Sequence, residues 1–577
     1  MRWTALTPFI LAAVLLPALA EAGIGKATDN GADLRQSVQQ QRLAAPEVHE
    51  TLLQGLMTLA DMRVIDRPGQ HHPFYDSCDT GDGCLSMFPF ENPRLLRGLP
   101  TPPLWPLTKN YAGEWSSSIH ALTQYIHTGD GQAPLTIPDS NMFVTASILY
   151  PLAFVTEADR GPLHAMIQDA TQSIRHYKRG DAYSFWRVHA SSTLPYQVVG
   201  PLNIPVKIFD ILALGVKPGQ KVPEDHGATI RPGWIPAMLD KGINPIGFES
   251  FFNIPVDADD TALAMIAYRL FPDSTSEPEP LEALSQVLLR HRDVDRVFED
   301  RRDRWKGQNS GAFLTWLKDE SLPIPEAFRP DSGTMPFGIN NVDCVVNANV
   351  LFALGLSGHQ DDPVVQSTLD VLNRAIDLEA WPYCGLYYPH KMMLPYTLTR
   401  AYRDGGLQHP GMKQALGGIV IRLLADQKET KALNARHAGA FSGGVDQTYD
   451  LATALAVNAL LNIGRDIPRD LGLLDDYQHA IEQGIQFLLK HKELMDVQFP
   501  EALAGIYQPG QRAAVWKPGI FFSASVQKAA QWRSEPYTAA IVVEALAKYL
   551  LAWDYGGGSV LQSRPLQIVD GALTLTD

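Results

Sequence analysis

The apolar positions of this chain gather into a few compact runs, each entered through an acidic residue. Five segments show it: IPDSNMFVTASILYPLAF from Ile137, IPVDADDTALAMIAYRLF from Ile254, NNVDCVVNANVLFALGL from Asn340, GGVDQTYDLATALAVNALLNIG from Gly443 and RSEPYTAAIVVEALAKYL from Arg533. In each, Thr or Asn follows the acid closely, and a body rich in small apolar residues comes next. The lead acids are Asp139, Asp257, Asp343, Asp446 and Glu535, at intervals of 86 to 118 residues. Self-similarity at long intervals is the signature of a repeat architecture, and each interval has room for two to four helices. Asp, Asn and Thr at a helix start accept hydrogen bonds from orphan N–H groups and suit the positive end of the helix dipole. A body that is apolar all round, as in Ala262–Ala267, predicts a helix buried on every side. Amphipathic stretches, Leu281–Arg290 and Pro363–Leu378, lie between these runs. Inner buried helices alternating with outer half-exposed ones predict an all-α fold, an α/α toroid. All inner helices then begin at one end, and their first turns surround a central cavity.

The remainder fills in around this ring. Gly23–Gln41 reads as a loose polar arm, and Glu47–Asp66 has helical spacing. Asp66–Thr108, rich in Pro, Gly and His, reads as a long structured loop. From Ser116 onward helical stretches alternate with Pro/Gly turns. Gln197–Phe209 and Leu503–Val515 read as loops or small hairpins. At the N-terminus, Arg2, an apolar run Ala5–Pro17 and the small-residue site Ala18-Leu19-Ala20 form a secretory signal peptide, too short to span a bilayer. No later apolar run is long enough to cross a membrane. The expected layout is a cleaved signal over 1–20, an arm with one helix and Cys/Gly/Pro-rich loops over 21–110, the N-terminal helical part of the toroid over 111–246, and helical repeats over 247–577. The expected location is periplasmic or secreted.

Export changes the reading of the four cysteines, Cys78, Cys84, Cys344 and Cys384. An even number in an oxidising compartment suggests disulfides. The tight loop DSCDTGDGC suits Cys78–Cys84, which leaves Cys344–Cys384, although the sequence does not choose among the three pairings. A zinc site is the rival; no CxxC or close His partner supports it, and His71-His72 reads as an exposed pair. The formal net charge of −15 over 577 residues excludes a nucleic-acid partner that needs a basic footprint, and 45% hydrophobic residues suit a globular chain.

One cap suffices for a helix, so three Asp within four positions at 257–260 need a further reason. Asp257 and Asp260 share a helical face, and Asp259 points elsewhere. Carboxylates this close do not all ionise freely, and desolvation at a cavity wall raises a pKa further. A carboxylic acid held protonated near neutral pH can serve as a general acid.

DADDTA (Asp257–Ala262) resembles the DxDDTA motif of class II terpene cyclases, the squalene–hopene cyclase group. The resemblance implies an α/α barrel, a terpene-cyclase-like isomerase or lyase activity, and Asp259 as the acid that protonates an alkene or epoxide to start cationic ring closure. Asp257 and Asp260 would be its polarising neighbours. Val342–Leu356 and Gly444–Leu461 are similar to the prenyltransferase and squalene-cyclase repeats, and the similarity spans roughly Gly247 to Leu551, with a weaker extension back to Trp115. The QxxxGxW repeats of that group are absent; GQNSGAFLTWL from Gly307 only approaches one. The implied partner is a small molecule, an isoprenoid lipid. Cyclases stabilise cations on aromatic faces, and Phe185, Trp186, Trp381, Tyr383, Tyr387, Tyr388, Phe441, Tyr449, Trp532 and Tyr537 are the aromatics expected near the mouth, where ordinary packing is the plainer account of each.

A second set of candidates lies across the ring. Tyr388 and His390 precede a helix that runs to Tyr402. Asp343, Asn347, Asp446 and Asp450 are expected to face the same mouth as the triplet, with Tyr449, Trp532 and Tyr537 as further substrate contacts. Such acids could hold a divalent cation, Mg²⁺ or Ca²⁺, although no cofactor is required by the sequence. They could equally serve a carbohydrate-active enzyme through a carboxylate pair, or simply cap the helices of a non-catalytic binding or scaffold toroid. Oligomeric state is not legible.

Overall fold

The computed structural model describes residues 30–63, 113–128, 131–190, 197–199, 254–274, 279–296, 300–318, 340–407, 410–444, 448–497, 500–503, 505, 508–523, 530–554, 567–569 and 572–574. The signal peptide, His71, His72, Cys78, Cys84 and Asp446 lie outside the described residues. The chain forms two compact units, residues 1–48 and 49–577. Helix α1 (Asn30–Asp61) begins in the first. Residues 30–41, expected to be a loose arm, are therefore helical: the stretch is dominated by Ala, Leu, Arg and Gln, good helix formers, and Pro46 sits inside the helix.

The second unit is a ring. Its inner helices are α2 (Met142–Leu152), α4 (Ala258–Leu270), α6 (Cys344–Leu356), α8 (Met393–Arg403), α10 (Asp450–Ile463) and α12 (Glu535–Asp554); α3 (His164–Ser173), α5 (Leu281–Arg290), α7 (Pro363–Asp377), α9 (Pro410–Leu433) and α11 (Leu474–His491) lie between them in sequence. Going round, α2 packs on α4, α4 on α6, α6 on α8, α8 on α10, α10 on α12, and α12 back on α2, which closes the circle. Outside it, α3 covers α2, α5 covers α4, α7 covers α6, and α11 covers α10 and α12. Residues 49–61 of α1 cover the remaining sector; a Cβ on Gly55 would meet Val543 Cγ2 of α12 at 2.7 Å, so only glycine allows this approach. The all-α, α/α toroid expected from the pattern is the observed fold.

The burial pattern explains the sorting. Every residue of α6 and α10 is buried, as is α4 apart from Arg269. The outer α7 buries only the stripe Val365, Thr368, Leu369, Val371, Leu372 and Ala375. An all-round apolar helix gains most where no face meets water, and a striped one gains most on the outside.

Strands appear where helices were expected. β1 (Ser116–Thr128) and β2 (Gly131–Ser140) form a hairpin, and β3 (Ile520–Ser523) and β4 (Ala530–Arg533) join it in the order β2-β1-β4-β3, all antiparallel. This sheet leads directly into α2 and α12 and ties the first inner helix to the last across the mouth. Small hairpins pair Val188–Ala190 with Gln197–Val199, and Glu493–Asp496 with Arg512–Val515. Cys344 at the start of α6 is disulfide-bonded to Cys384, ahead of α8.

Candidate functional site

The acidic triplet of α4 separates into two roles. Asp257 is the N-cap, its Oδ1 accepting from the Asp260 N–H at 2.8 Å. Its extended backbone also bridges Tyr183 and Trp316, which seats the helix start against the loops of the mouth. Asp260 is buried beside it. Burial and the neighbouring Asp257 and Asp259 charges push the Asp260 carboxyl well up, so it holds its proton. Burial pushes Asp257 up to about 7. These two carboxyls form a pair at the helix end, and burial raises the pKa of both.

Asp259 does something else. The residue is 5% exposed, and its carboxyl touches side chains of two other ring segments: Asn349 Nδ2 of α6 donates to Oδ1 at 2.6 Å, and the Tyr388 hydroxyl donates to Oδ2 in a short hydrogen bond. Asn349 Oδ1 in turn accepts from Arg400 Nη2 of α8 at 2.7 Å. Burial raises the Asp259 pKa; Tyr388, Asn349 and the Arg400 charge only partly offset it. Arg400 holds the Asn349 amide oxygen, so the amide nitrogen must face Asp259. Each carboxyl oxygen of Asp259 thus accepts one side-chain hydrogen bond, Oδ1 from Asn349 and Oδ2 from Tyr388.

A layer of rings extends from Tyr388, the aromatic partner of this acid. Phe143 lies 5.6 Å from Tyr388, 5.2 Å from Phe521 and 5.7 Å from Tyr537 between centroids, and Tyr388 meets Phe522 at 5.7 Å. Phe522 continues the layer to Trp532, Phe185 and Tyr387, at 5.0, 5.1 and 6.0 Å. Below, a cavity of about 10 Å³ is lined by Phe143, Ser147, Asn349, Met393, Tyr396, Thr397, Arg400 and Tyr537, room for roughly one water molecule.

Deeper in the ring is a buried ion network that the sequence reading missed. Arg400 lies over Tyr150, Phe352 and Tyr396 at 4.8, 5.0 and 5.1 Å from their centroids. Tyr396 donates to Glu544 at 2.7 Å. Lys548 donates to Glu544 and Asn462, each at 2.7 Å, and to Tyr150 at 3.0 Å. Tyr150 donates to Asp404 in a short bond.

The other sequence candidates are placed as follows. Asp343 caps α6, its Oδ1 accepting from Val345 and Val346 N–H and its Oδ2 from Tyr387 N–H at 3.0 Å; burial nonetheless pushes it up to about 7. Asn347 clamps the backbone of Phe313, accepting from its N–H at 2.8 Å and donating to its carbonyl at 3.0 Å. Asp139 is not the cap of α2; Asn141 is, accepting from Val144 N–H. Asp139 instead accepts from Asn141 and from the indoles of Trp186 and Trp532 at 2.8, 3.0 and 2.8 Å. His390 is buried with Nδ1 accepting from Met392 N–H at 3.3 Å, and packs so closely on Gly443 that a Cβ there would lie 2.3 Å from Nε2. Asp450 is 3.3 Å from His491 and accepts from Lys517 N–H at 2.9 Å. Tyr449 stacks on His437 at 4.1 Å. The structure thus brings Asp259, Tyr388 and Tyr537 into one region and adds Asn349, Arg400, Phe143, Phe521 and Phe522. Among the aromatics proposed for the mouth, Tyr383 is 75% exposed. Among the described residues no group of three or more His, Cys, Asp or Glu side chains converges in a way that could hold a metal ion, and no helix is long and apolar enough to cross a membrane.

No family model matches this sequence, and no curated protein matches it. Among solved structures, the chain is similar to the apo form of the type II terpene cyclase MstE from Scytonema. The match covers 76% of this chain and 92% of that one, at 13% identity and a TM-score of 0.37. The complex of a variant of that enzyme with geranylgeranyl dihydroxybenzoate, its substrate, matches over the same shares at 13% identity and a TM-score of 0.38. The complex with the product merosterolic acid A covers 76% and 91%, at 13% identity and 0.37. None of these likenesses bears on which reaction this chain carries out.

Proposed function

We propose that the protein is an exported terpene-cyclase-like enzyme in which Asp259 protonates a carbon–carbon double bond of an apolar isoprenoid and starts a cationic cyclisation or isomerisation. The observation that carries this reading is the setting of Asp259: a buried carboxyl with a raised pKa, held by side chains, beside a layer of aromatic rings. In the step, the carboxyl O–H bond of Asp259 breaks and the π electron pair of the alkene forms a new C–H bond. A carbocation is left on the adjacent carbon and a carboxylate on Asp259. A second double bond closes the ring on that cation, the final cation loses a proton to solvent, and Asp259 takes a proton back from solvent for the next turnover. Phe143, Tyr388, Phe521 and Phe522 present the rings that such a cation needs. Tyr388, Asn349 and the Arg400 charge stabilise the carboxylate that the step creates.

One observation favours a second reading, a non-catalytic toroid: the cavity of about 10 Å³ admits a single water, so a substrate must displace side chains. One experiment separates the two. Purified mature protein is incubated with a panel of linear prenyl substrates and lipid extract, and products are read by mass spectrometry against Asp259→Asn. A cyclised or isomerised product from the wild type alone supports the acid reading. Absence of any retained or altered lipid in both proteins supports the scaffold.

A further inference from the structure

We propose that the Cys344–Cys384 disulfide is a positioning element for the acid: it fixes the loop that carries Tyr388, and through Tyr388 the hydrogen bond on Asp259. This rests on the acid reading of Asp259 and adds the residues that hold its partner in place.

The two side chains that donate to Asp259 stand on different supports. Asn349 belongs to α6, whereas Tyr388 lies in the loop between α7 and α8. A side chain on a loop is placed less precisely than one on a helix unless something holds the loop. Here two ties run from the loop to the start of α6. Cys384 is bonded to Cys344, the first residue of that helix, and its carbonyl accepts from Cys344 N–H at 3.2 Å. Asp343, the cap of the same helix, accepts from Tyr387 N–H at 3.0 Å. Between the two ties the chain is compact: a Cβ on Gly385 would lie 2.7 Å from the Tyr388 carbonyl oxygen. A shift of Cys384 is therefore passed on to Tyr388, because the loop has no slack to absorb it.

The bridge thus joins both donors of Asp259 to one helix. Asn349 reaches Oδ1 from α6 itself, and Tyr388 reaches Oδ2 from a loop bonded to α6. The other ties of the loop grip Tyr387. Its hydroxyl accepts from Trp316 Nε1 at 2.9 Å and from Asn341 Nδ2 at 3.0 Å, and its carbonyl accepts from Ser523 N–H at 2.8 Å. Each of these hydrogen bonds can open by itself; the covalent bond cannot. Both cysteines are fully buried, and the bridge joins positions 40 residues apart, so its loss frees a long segment. Without it Tyr388 drifts from Asp259, and the carboxylate left by proton delivery loses one of its two side-chain donors. An oxidising compartment, where such bridges persist, then serves the geometry of the acid as well as the fold.

The test is a double-mutant cycle between Tyr388→Phe and Asp259→Ala, read as denaturant midpoints in the bridged protein and again in Cys344→Ala/Cys384→Ala. Loss of a native disulfide lowers a midpoint whatever the bridge does, so the readout is the coupling between Tyr388 and Asp259. That coupling should be present with the bridge and largely vanish without it. Turnover of a linear isoprenoid should fall by about tenfold or more in the bridge-free protein. Tyr388→Phe should add little to that loss, although it lowers turnover in the bridged protein. If the Ala pair does not fold, Cys344→Val/Cys384→Ala, which refills part of the lost volume, takes its place. Failure of both pairs to fold would make the bridge a folding staple and overturn the positioning role. So would an undiminished coupling, or a Tyr388→Phe effect on turnover as large without the bridge as with it. The coupling needs no turnover: absence of product in every background tells against the acid reading, and the coupling alone then decides the role of the bridge.

Discussion

The side-chain amide of Asn349 donates to Asp259 at 2.6 Å and cannot turn round, because Arg400 holds its oxygen at 2.7 Å. A side chain of α6 thus links the acid to the guanidinium of α8. Asp259→Asn should remove the acidic proton with little disturbance. An amide there still accepts from Asn349 and can donate to Tyr388, so stability should change by about 1 kcal/mol or less. Turnover should fall by roughly 100-fold or more, because the proton is gone. Denaturant midpoints and product yield measured on the same preparation check both.

Asn349→Leu should move the acid in a defined direction. Asn349 hydrogen-bonds the charged form of Asp259 and lowers its pKa, so its loss raises that pKa. The pH limb at which activity is lost on going alkaline should shift to higher pH, read from a pH–rate profile. Leaving Arg400 without its acceptor should cost on the order of 1–3 kcal/mol.

Acid pH should stabilise the protein. Burial raises Asp257 and Asp343 to about 7 and Glu535 to about 8 in the folded chain. For an acid whose folded pKa exceeds its unfolded value, the folded state binds the proton more tightly. The stabilisation is complete below the unfolded value, near 4, and is lost as pH rises through the folded one. Urea midpoints should therefore decline from about pH 4 to about pH 8. Glu535→Gln should flatten the upper end of that curve. A midpoint that rises steadily across this range would contradict the assignment.

Lys548→Met should be among the most damaging single changes in the ring. It leaves Glu544 buried without its 2.7 Å partner, which should cost about 3–5 kcal/mol. Adding Glu544→Gln should recover part of the loss, because one of the two carboxylates that Lys548 served, Glu544 and Asp404, is then neutral. A double-mutant cycle on chemical denaturation measures the coupling.

The ring was legible because its grammar repeats: an acid, a small polar residue, and an apolar body that no surface helix would carry. The same grammar located Asp257 and Asp343 as caps. It overreached at Asp139, where Asn141 caps the helix and Asp139 serves two indoles. The β1–β2 hairpin was hidden because Ser116–Ser140 shows no clear apolar alternation; its strand pairing is met by partners about 400 residues away in β4. The ion network was missed for the opposite reason. Asn349, Arg400 and the Glu544–Lys548 pair of α12 sit on three different apolar helices that only ring closure brings together. A polar residue inside an all-round apolar helix must find such partners. That rule, applied to Asn349 and Arg400, would have pointed to the site from the sequence.

The most direct measurement of the central claim is turnover of a linear isoprenoid in D₂O, with the product analysed by mass spectrometry and NMR. Delivery of a proton by Asp259 to a double bond predicts a cyclised or isomerised product that carries deuterium on the carbon first protonated, formed by the wild type and not by Asp259→Asn. A rearranged product without solvent deuterium, or an equal yield from the Asn variant, would contradict the account.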